Sequence, residues 1–262
     1  MAARDNWGWR ARIGIFIVHN EAVPEAEWWA MLPPHVSVHA ARVSAPSPWA
    51  TWRHDRSGVD LADDVLRGLR QFAAMNLAAV VLGHSSSSIL GGAGWDAATV
   101  SAMTGVLGEG PFATTNGQDC LAALGAIAVR RPFLVLPPWF NDATVAAAVQ
   151  YYTAHGVTPA AQLRYDPGPG WRHLPPGELY ARGMGLAQQV EPLHAQIRAN
   201  CPEEADGILI AGTGFRCVAI IDALEQDLAR PVVTANQASL WHCLRRAGVG
   251  AEVAGYGRLL RG

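Results

Sequence analysis

Ala79-Val80-Val81-Leu82-Gly83-His84-Ser85-Ser86-Ser87-Ser88-Ile89-Leu90-Gly91-Gly92 divides into two parts of different character. The apolar run Ala79–Leu82 offers no polar residue to solvent, the pattern of a short strand buried on both faces of a parallel sheet. A glycine, one histidine and four serines follow at its carboxyl end. Ligands of open α/β sheets sit outside that end, and small hydroxyl residues there can aim O–H and backbone N–H groups at an anion. His84 is the one group of the stretch that exchanges a proton near neutral pH. A Ser-rich connecting loop with a solvated histidine fits the same residues, so this stretch alone does not decide between a site and a linker.

A second stretch, Asp206-Gly207-Ile208-Leu209-Ile210-Ala211-Gly212-Thr213-Gly214-Phe215, repeats the sequence of apolar strand, small residue and hydroxyl. Aligning residues 79–85 with 207–213 sets His84 opposite Gly212 and Ser85 opposite Thr213. At nearly the same offset, residues 12–18 match 131–137 and residues 111–116 match 231–236. Three matches in one order predict two pseudo-symmetric α/β lobes, each a parallel sheet flanked by helices, facing across a cleft. His84 and Gly212 are expected to face each other there. Residues 1–110 with 231–262 are assigned to the first lobe and 111–230 to the second.

Strands are predicted at 12–18, 35–43, 79–82, 111–115, 133–136, 157–163 and 231–235. Helices are predicted at 24–32, 61–76, 96–107 with Asp96 as its cap, 118–128, 142–156, 175–200, 217–228 and 239–247. Residues 44–52 show no period and read as a loop over the cleft, and Trp7 and Trp9 are expected to pin a loose N-terminal arm. The polar run His19-Asn20-Glu21 ends the first strand, so these groups are expected to line the cleft as well.

Half of the 262 residues are hydrophobic and 16% are charged, which supports a substantial packed core and argues against disorder. Formal net charge is −2 without a long basic run, so no nucleic-acid partner is expected. Lysine is absent, which excludes a Schiff-base lysine, a pyridoxal-phosphate lysine and a P-loop lysine; a GC-rich genome accounts for the same bias. Cys120, Cys201, Cys217 and Cys243 lack a zinc or C-x-x-C spacing. No signal peptide or membrane span is read, so a cytoplasmic protein with reduced thiols is expected. The ten tryptophans fit a core or a subunit interface, so a homo-oligomer is considered beside a monomer. No G-x-G-x-x-G, G-x-S-x-G, H-E-x-x-H or D-x-D motif is found, and His35 and His39 on one strand face lack a third metal ligand.

The pieces Gly83-His84-Ser85-Ser86-Ser87-Ser88, Thr114-Thr115, Val129-Arg130-Arg131, Pro138-Trp139, Gly207-Ile208-Leu209-Ile210-Ala211-Gly212-Thr213, Pro231-Val232-Val233 and Gly255-Tyr256-Gly257-Arg258-Leu259 resemble the aspartate/glutamate racemase superfamily. The nearest branch is that of arylmalonate decarboxylase and maleate cis–trans isomerase. The resemblance spans nearly the whole chain. It implies two Rossmann-like lobes, a small carboxylate substrate, and proton transfer at carbon next to a carboxylate with no metal or organic cofactor. Members usually place a cysteine on each side of the substrate, and decarboxylases keep the one in the second lobe. By this resemblance His84 and Gly212 stand at the two cysteine positions, so neither thiol is present. Trp139 stands where relatives carry a tyrosine hydroxyl.

The expected site therefore has His84 as acid/base. Ser85, Ser86, Ser88, Thr114, Thr115, Trp139, Gly212, Thr213 and Asn20 are expected to hold the substrate, with Trp139 donating through its indole N–H. Racemisation by two thiols is excluded, and decarboxylation is the favoured reaction of a lyase/isomerase class. Two other readings stand beside it: a hydrolase using a serine of the 85–88 loop with His84, and a non-catalytic protein that binds small carboxylates.

Overall fold

The computed structural model describes residues 5–250 and 252–261. The first part of the chain runs β1 (Ala11–Val18), α1 (Val23–Met31), β2 (Val36–Val43), β3 (Ala50–Trp52), β4 (Val59–Leu61), α2 (Asp63–Ala73), β5 (Ala79–Leu82), α3 (Ser85–Gly91), α4 (Trp95–Leu107) and β6 (Phe112–Thr115). It continues α5 (Asn116–Ala126), β7 (Pro132–Leu136), α6 (Asp142–Ala154), β8 (Ala161–Arg164), α7 (Pro176–Leu179), α8 (Met184–Ala187), α9 (Val190–Asn200) and β9 (Gly207–Ile210). A 3-10 turn at Val218–Ile220 leads into α10 (Ile221–Leu228), β10 (Val232–Thr234) and α11 (Ala235–Arg246). Among the described residues no helix is long and apolar enough to cross a membrane.

The unbroken apolar runs β5 and β9 become inner strands, with every residue buried, as sheets covered by helices on both faces require. They organise two parallel four-stranded sheets ordered β2-β1-β5-β6 and β10-β9-β7-β8. The two Rossmann-like lobes are therefore those expected. Strand register tests the internal repeat directly. Ile13 pairs with Ala79 and Pro132 with Gly207, which agrees with the first two sequence matches. The third match is displaced by one residue: Leu82 pairs with Thr115 and Ile210 with Thr234. Thr115, not Thr114, is the counterpart of Thr234, and both threonines cap the helix that follows, accepting from Gln118 N and Gln237 N.

The lobe boundaries differ from those expected. β6 lies in the first sheet and β10 in the second, so the breaks at 110/111 and 230/231 fall before the strands instead of after them. The following helices then change sides. Cys120, Ala123 and Leu124 of α5 pack with Leu134, Leu136 and Leu209 of the second sheet. α11 packs on α1, β5 and β6 of the first lobe. Each lobe thus covers part of its core with a helix handed over by the other.

Some local expectations also change. The 44–52 segment ends in β3, which forms an antiparallel hairpin with β4. Trp95 and Trp52 tie the hairpin down through indole N–H bonds to Ala50 O (2.8 Å) and Gly91 O (2.9 Å). Asp96 is not a cap: Gly94 holds that position, and the buried Asp96 carboxylate accepts from other elements. The single helix expected at 175–200 is broken into α7, α8 and α9. Trp9 packs on His35, with ring centroids 4.3 Å apart, whereas Trp7 remains 86% exposed; the first four residues of the expected arm lie outside the described residues.

The handover point is held by Asn116, which has no exposed surface. Its Oδ1 accepts from Ser85 Oγ at 2.6 Å, and its Nδ2 donates to Ala235 O and Ser239 Oγ, both at 2.9 Å. Asn116→Ala removes all three bonds and leaves the Ser85 hydroxyl hydrogen without its acceptor, a buried loss of about 1–3 kcal/mol. The variant is expected to lose at least about 2 kcal/mol of unfolding free energy in urea titration; a stability within error of the parent contradicts this account.

Candidate active site

The carboxyl ends of both sheets meet at one contact: Gly212 N donates to Ser85 Oγ at 3.2 Å. Ser85 opens α3 directly after β5, and Gly212 follows β9 in a left-handed conformation, φ +105°. A side chain there is strained, and its Cβ lies 3.0 Å from Pro137 Cγ. Ser85, one residue beyond the expected His84, is therefore what meets Gly212. Its hydroxyl is spent, accepting from Gly212 and donating to Asn116, so Ser85 positions the second-lobe loop.

The His84 ring is held by the first lobe. It stacks on Trp49 with centroids 4.1 Å apart, and Nδ1 lies 2.8 Å from Ser87 Oγ. The Ser87 hydroxyl is fully buried and already accepts from Trp49 N. Its hydrogen needs an acceptor, and Nδ1 is the one in reach. That assigns the neutral tautomer with the proton on Nε2, which has no hydrogen-bond partner among the described residues. Burial pulls the His84 pKa down to about 3, because the charged ring loses its hydration. The group expected as acid/base is thus a neutral ring at neutral pH, which offers Nε2–H and not an imidazolium proton. The Ser87–His84 pair also tests the hydrolase reading, since the hydrogen bond forms but the oxygen has no exposed surface on which to meet a substrate.

Several expected substrate hydroxyls are committed elsewhere. Ser88 and Thr115 donate to Asp96 Oδ1 at 2.7 and 2.6 Å, and Tyr151 donates to Oδ2 at 2.7 Å. Thr114 donates to Asp119 Oδ1 at 2.7 Å. Asp119 also accepts from Ser239 (2.6 Å) and pairs with His242 Nδ1 (2.7 Å); burial raises its pKa against those bonds. These networks join α4, α5, β6 and α11 and serve the framework. Ser86 and Thr213 keep free hydroxyls among the described residues, and Thr213 O is fixed by Asn236 Nδ2 at 2.9 Å. Asn20 is exposed. The half-buried Trp139 ring packs edge-on against Tyr180 and Phe215, with centroids 5.1 and 5.8 Å away, leaving its N–H unpaired.

Two acidic residues of the first lobe grip the same second-lobe loop. Glu27 of α1 is buried and accepts from Cys217 N (2.6 Å), Val218 N (3.0 Å) and Asn236 Nδ2 (2.6 Å); burial nevertheless raises its pKa. Glu21, just past β1, presses its carboxyl on Gly214, where a Cβ would lie 2.3 Å from Oε1. Glu21 was legible only as a polar residue at a strand end. Tyr180, whose ring also borders Gly214, had no sequence signal, because it comes from an irregular segment. The thiols stand apart: Cys120, Cys217 and Cys243 are buried in the core and Cys201 lies beside Arg230, and burial pushes all four thiol pKa values up.

With this geometry in place, comparison with known proteins is informative. Residues 183–260 match the family model described as arylmalonate decarboxylase. The chain is 28% identical over 199 residues to arylmalonate decarboxylase of Bordetella bronchiseptica, covering 75% of this chain and 77% of that protein. Unliganded arylmalonate decarboxylase superposes with a TM-score of 0.70 at 25% identity, covering 95% of this chain and 98% of the other. Maleate isomerase of Pseudomonas putida gives a TM-score of 0.77 at 16% identity over 96% and 98% of the two chains, a likeness of fold. These similarities support the decarboxylase and isomerase branch to which the sequence motifs pointed, and the relatives are enzymes.

The His84 environment has a measurable consequence. A histidine that folding holds neutral gives full stability above its unfolded pKa of about 6.5. That contribution is lost as pH falls from there toward about 3, where the folded ring also charges. His84 resonances are expected to stay unshifted between about pH 8 and 5 in an NMR titration. Trp49→Ala should move the midpoint up toward about 6.5; a parent midpoint already near that value contradicts the burial.

Proposed function

We propose that this chain, similar to the arylmalonate decarboxylase and maleate isomerase branch, is a lyase that removes CO2 from a small malonate-type acid without a metal or organic cofactor. The observation that carries the reading is the pairing of loops at Ser85 and Gly212, 3.2 Å apart. Unspent donors stand on and around these loops: the Ser86 and Thr213 hydroxyls, His84 Nε2–H and the Trp139 indole N–H. These groups bind the carboxylate that is retained. When the other carboxylate leaves as CO2, the electron pair of the broken C–C bond spreads into the retained group as an enediolate. Donors aimed at that developing charge are worth about 2.7–4 kcal/mol each.

In this reading neutral His84 is an oxyanion donor, while Ser85, Ser88, Thr114 and Thr115 hold the frame through Gly212, Asp96 and Asp119. The one cysteine of these loops, Cys217, is buried with its thiol pKa pushed up, which favours decarboxylation over an isomerisation that needs a thiol adduct.

Incubating the protein with alkyl- and arylmalonates, maleate, amino acids and simple esters, with mass-spectrometric detection, separates the readings. Loss of CO2 from a substituted malonate is expected, with Thr213→Val lowering turnover about 10²–10³-fold. Conversion of maleate to fumarate, ester cleavage, or binding of malonates with no turnover contradicts the lyase reading.

A further inference from the structure

Decarboxylation leaves a carbon that must receive a proton; His84 is neutral, and the one thiol of the loops, Cys217, is buried in the core. Among the described residues, the Glu21 carboxyl reaches Gly214 of the second-lobe loop, with the Tyr180 ring beside it. Glu21 is 6% exposed, and its Oε2 is buried without a partner. Neither carboxyl oxygen accepts a hydrogen bond from a described residue. The contrast with Glu27 is instructive. Glu27, six residues on and gripping the same loop, satisfies its oxygens with three N–H donors; it is a structural carboxylate. Glu21 has the burial without the donors, a condition costly for a charged group and tolerable for a protonated one.

The surroundings explain how the carboxyl is kept there. The charged neighbour is Arg42 of β2, but its guanidinium is spent on Glu21 O (2.6 Å), His19 O (3.3 Å) and an ion pair with Glu25 of α1. From the second lobe, Gly214 and the Tyr180 ring close over the carboxyl without bringing an opposite charge. Gly214 is required by that closeness, since any Cβ would collide with Oε1. Burial pushes the Glu21 pKa up to about 8 against the opposing pull of Arg42.

We propose that Glu21 is the proton donor of this site, a neutral carboxylic acid that the first lobe delivers to the second-lobe loop beside Gly212. The proposal rests on the lyase reading. In the step, the O–H bond of Glu21 breaks and a C–H bond forms at the enediolate carbon, whose electron pair came from the broken bond to CO2. Glu21 is left as a carboxylate and regains a proton from water before the next turnover. Donation requires the protonated form, so turnover is highest below about pH 8 and declines above it.

The test compares the parent, Glu21→Gln, Glu21→Asp and Gly214→Ala in two measurements. Infrared difference spectra of parent minus Glu21→Gln, taken across pH with and without unsubstituted malonate, report the carboxyl directly. A protonated band that persists through neutral pH and shifts on adding malonate is expected. Turnover of the malonate that the parent decarboxylates should fall at least about a hundredfold in Glu21→Gln with little change in KM. Glu21→Asp should retain part of the activity and an alkaline limb, and Gly214→Ala should lower kcat by displacing the carboxyl. A Glu21 already ionised below about pH 6, a band blind to malonate, or Glu21→Gln turnover within threefold of the parent overturns the proposal. If the parent decarboxylates no malonate, the lyase reading fails by itself, while the infrared titration still decides whether Glu21 holds a proton and senses the ligand.

Discussion

Asn116 stands where the chain leaves the first sheet and begins a helix belonging to the second, and it has no contact with water. A side-chain amide has donors on one end and an acceptor on the other, and here both ends are used between lobes: the oxygen takes the Ser85 hydroxyl, and the nitrogen gives to Ala235 O and Ser239. Ser85 can then present its oxygen to Gly212 N. The loop after β5 and the loop after β9 thus meet because a buried amide in a third element orients the hydroxyl between them. The Asp119 network behind it, with Thr114, Ser239 and His242, keeps α5 and α11 in register. Buried polar groups of this kind stabilise only when all members are paired, so the network also restricts the lobes to one relative position.

The second-lobe loop is held from the first lobe by Ser85 at Gly212, by Glu21 against Gly214 and by Glu27 at Cys217 and Val218. Two of these grips are ordinary satisfied hydrogen bonds. At the third, a carboxyl is buried without donors, an arrangement that costs stability once the group ionises. With the folded pKa raised above its unfolded value, that contribution is present at acid pH and lost as pH rises from about 4.5 through about 8. A buried carboxyl kept without partners against Gly214 is the pattern of a group that holds a proton for use.

The lobes were legible because β5 and β9 are short, wholly apolar and followed by small polar residues, a pattern with few alternatives. The helix exchange was not, because it depends on which sheet a strand joins, and β6 and β10 look alike in both positions. The Thr-x-x-Gln sequences at 115–118 and 234–237, both with a threonine N-cap and the second with a full capping box, mark the handover and correct the one-residue shift in the repeat. For the candidate site, composition at the strand ends pointed to the two loops that the structure brings together at Ser85 and Gly212, but not to the partners of each side chain within them. Whether a serine binds substrate or Asp96 depends on partners up to 55 positions away, as the Tyr151–Asp96 bond illustrates. Glu21 acquires its character only when Gly214 and Tyr180 close over it from the other lobe.

A crystal structure with an unreactive substituted malonate bound tests the assignment of this cleft most directly. The account predicts one carboxylate on the Thr213 hydroxyl and His84 Nε2, with the central carbon within reach of the Glu21 carboxyl. The contradicting result is a malonate seated instead in the groove between α1 and the 216–219 segment, lined by Ala22, Ala26 and Arg216, with Thr213 and Glu21 untouched.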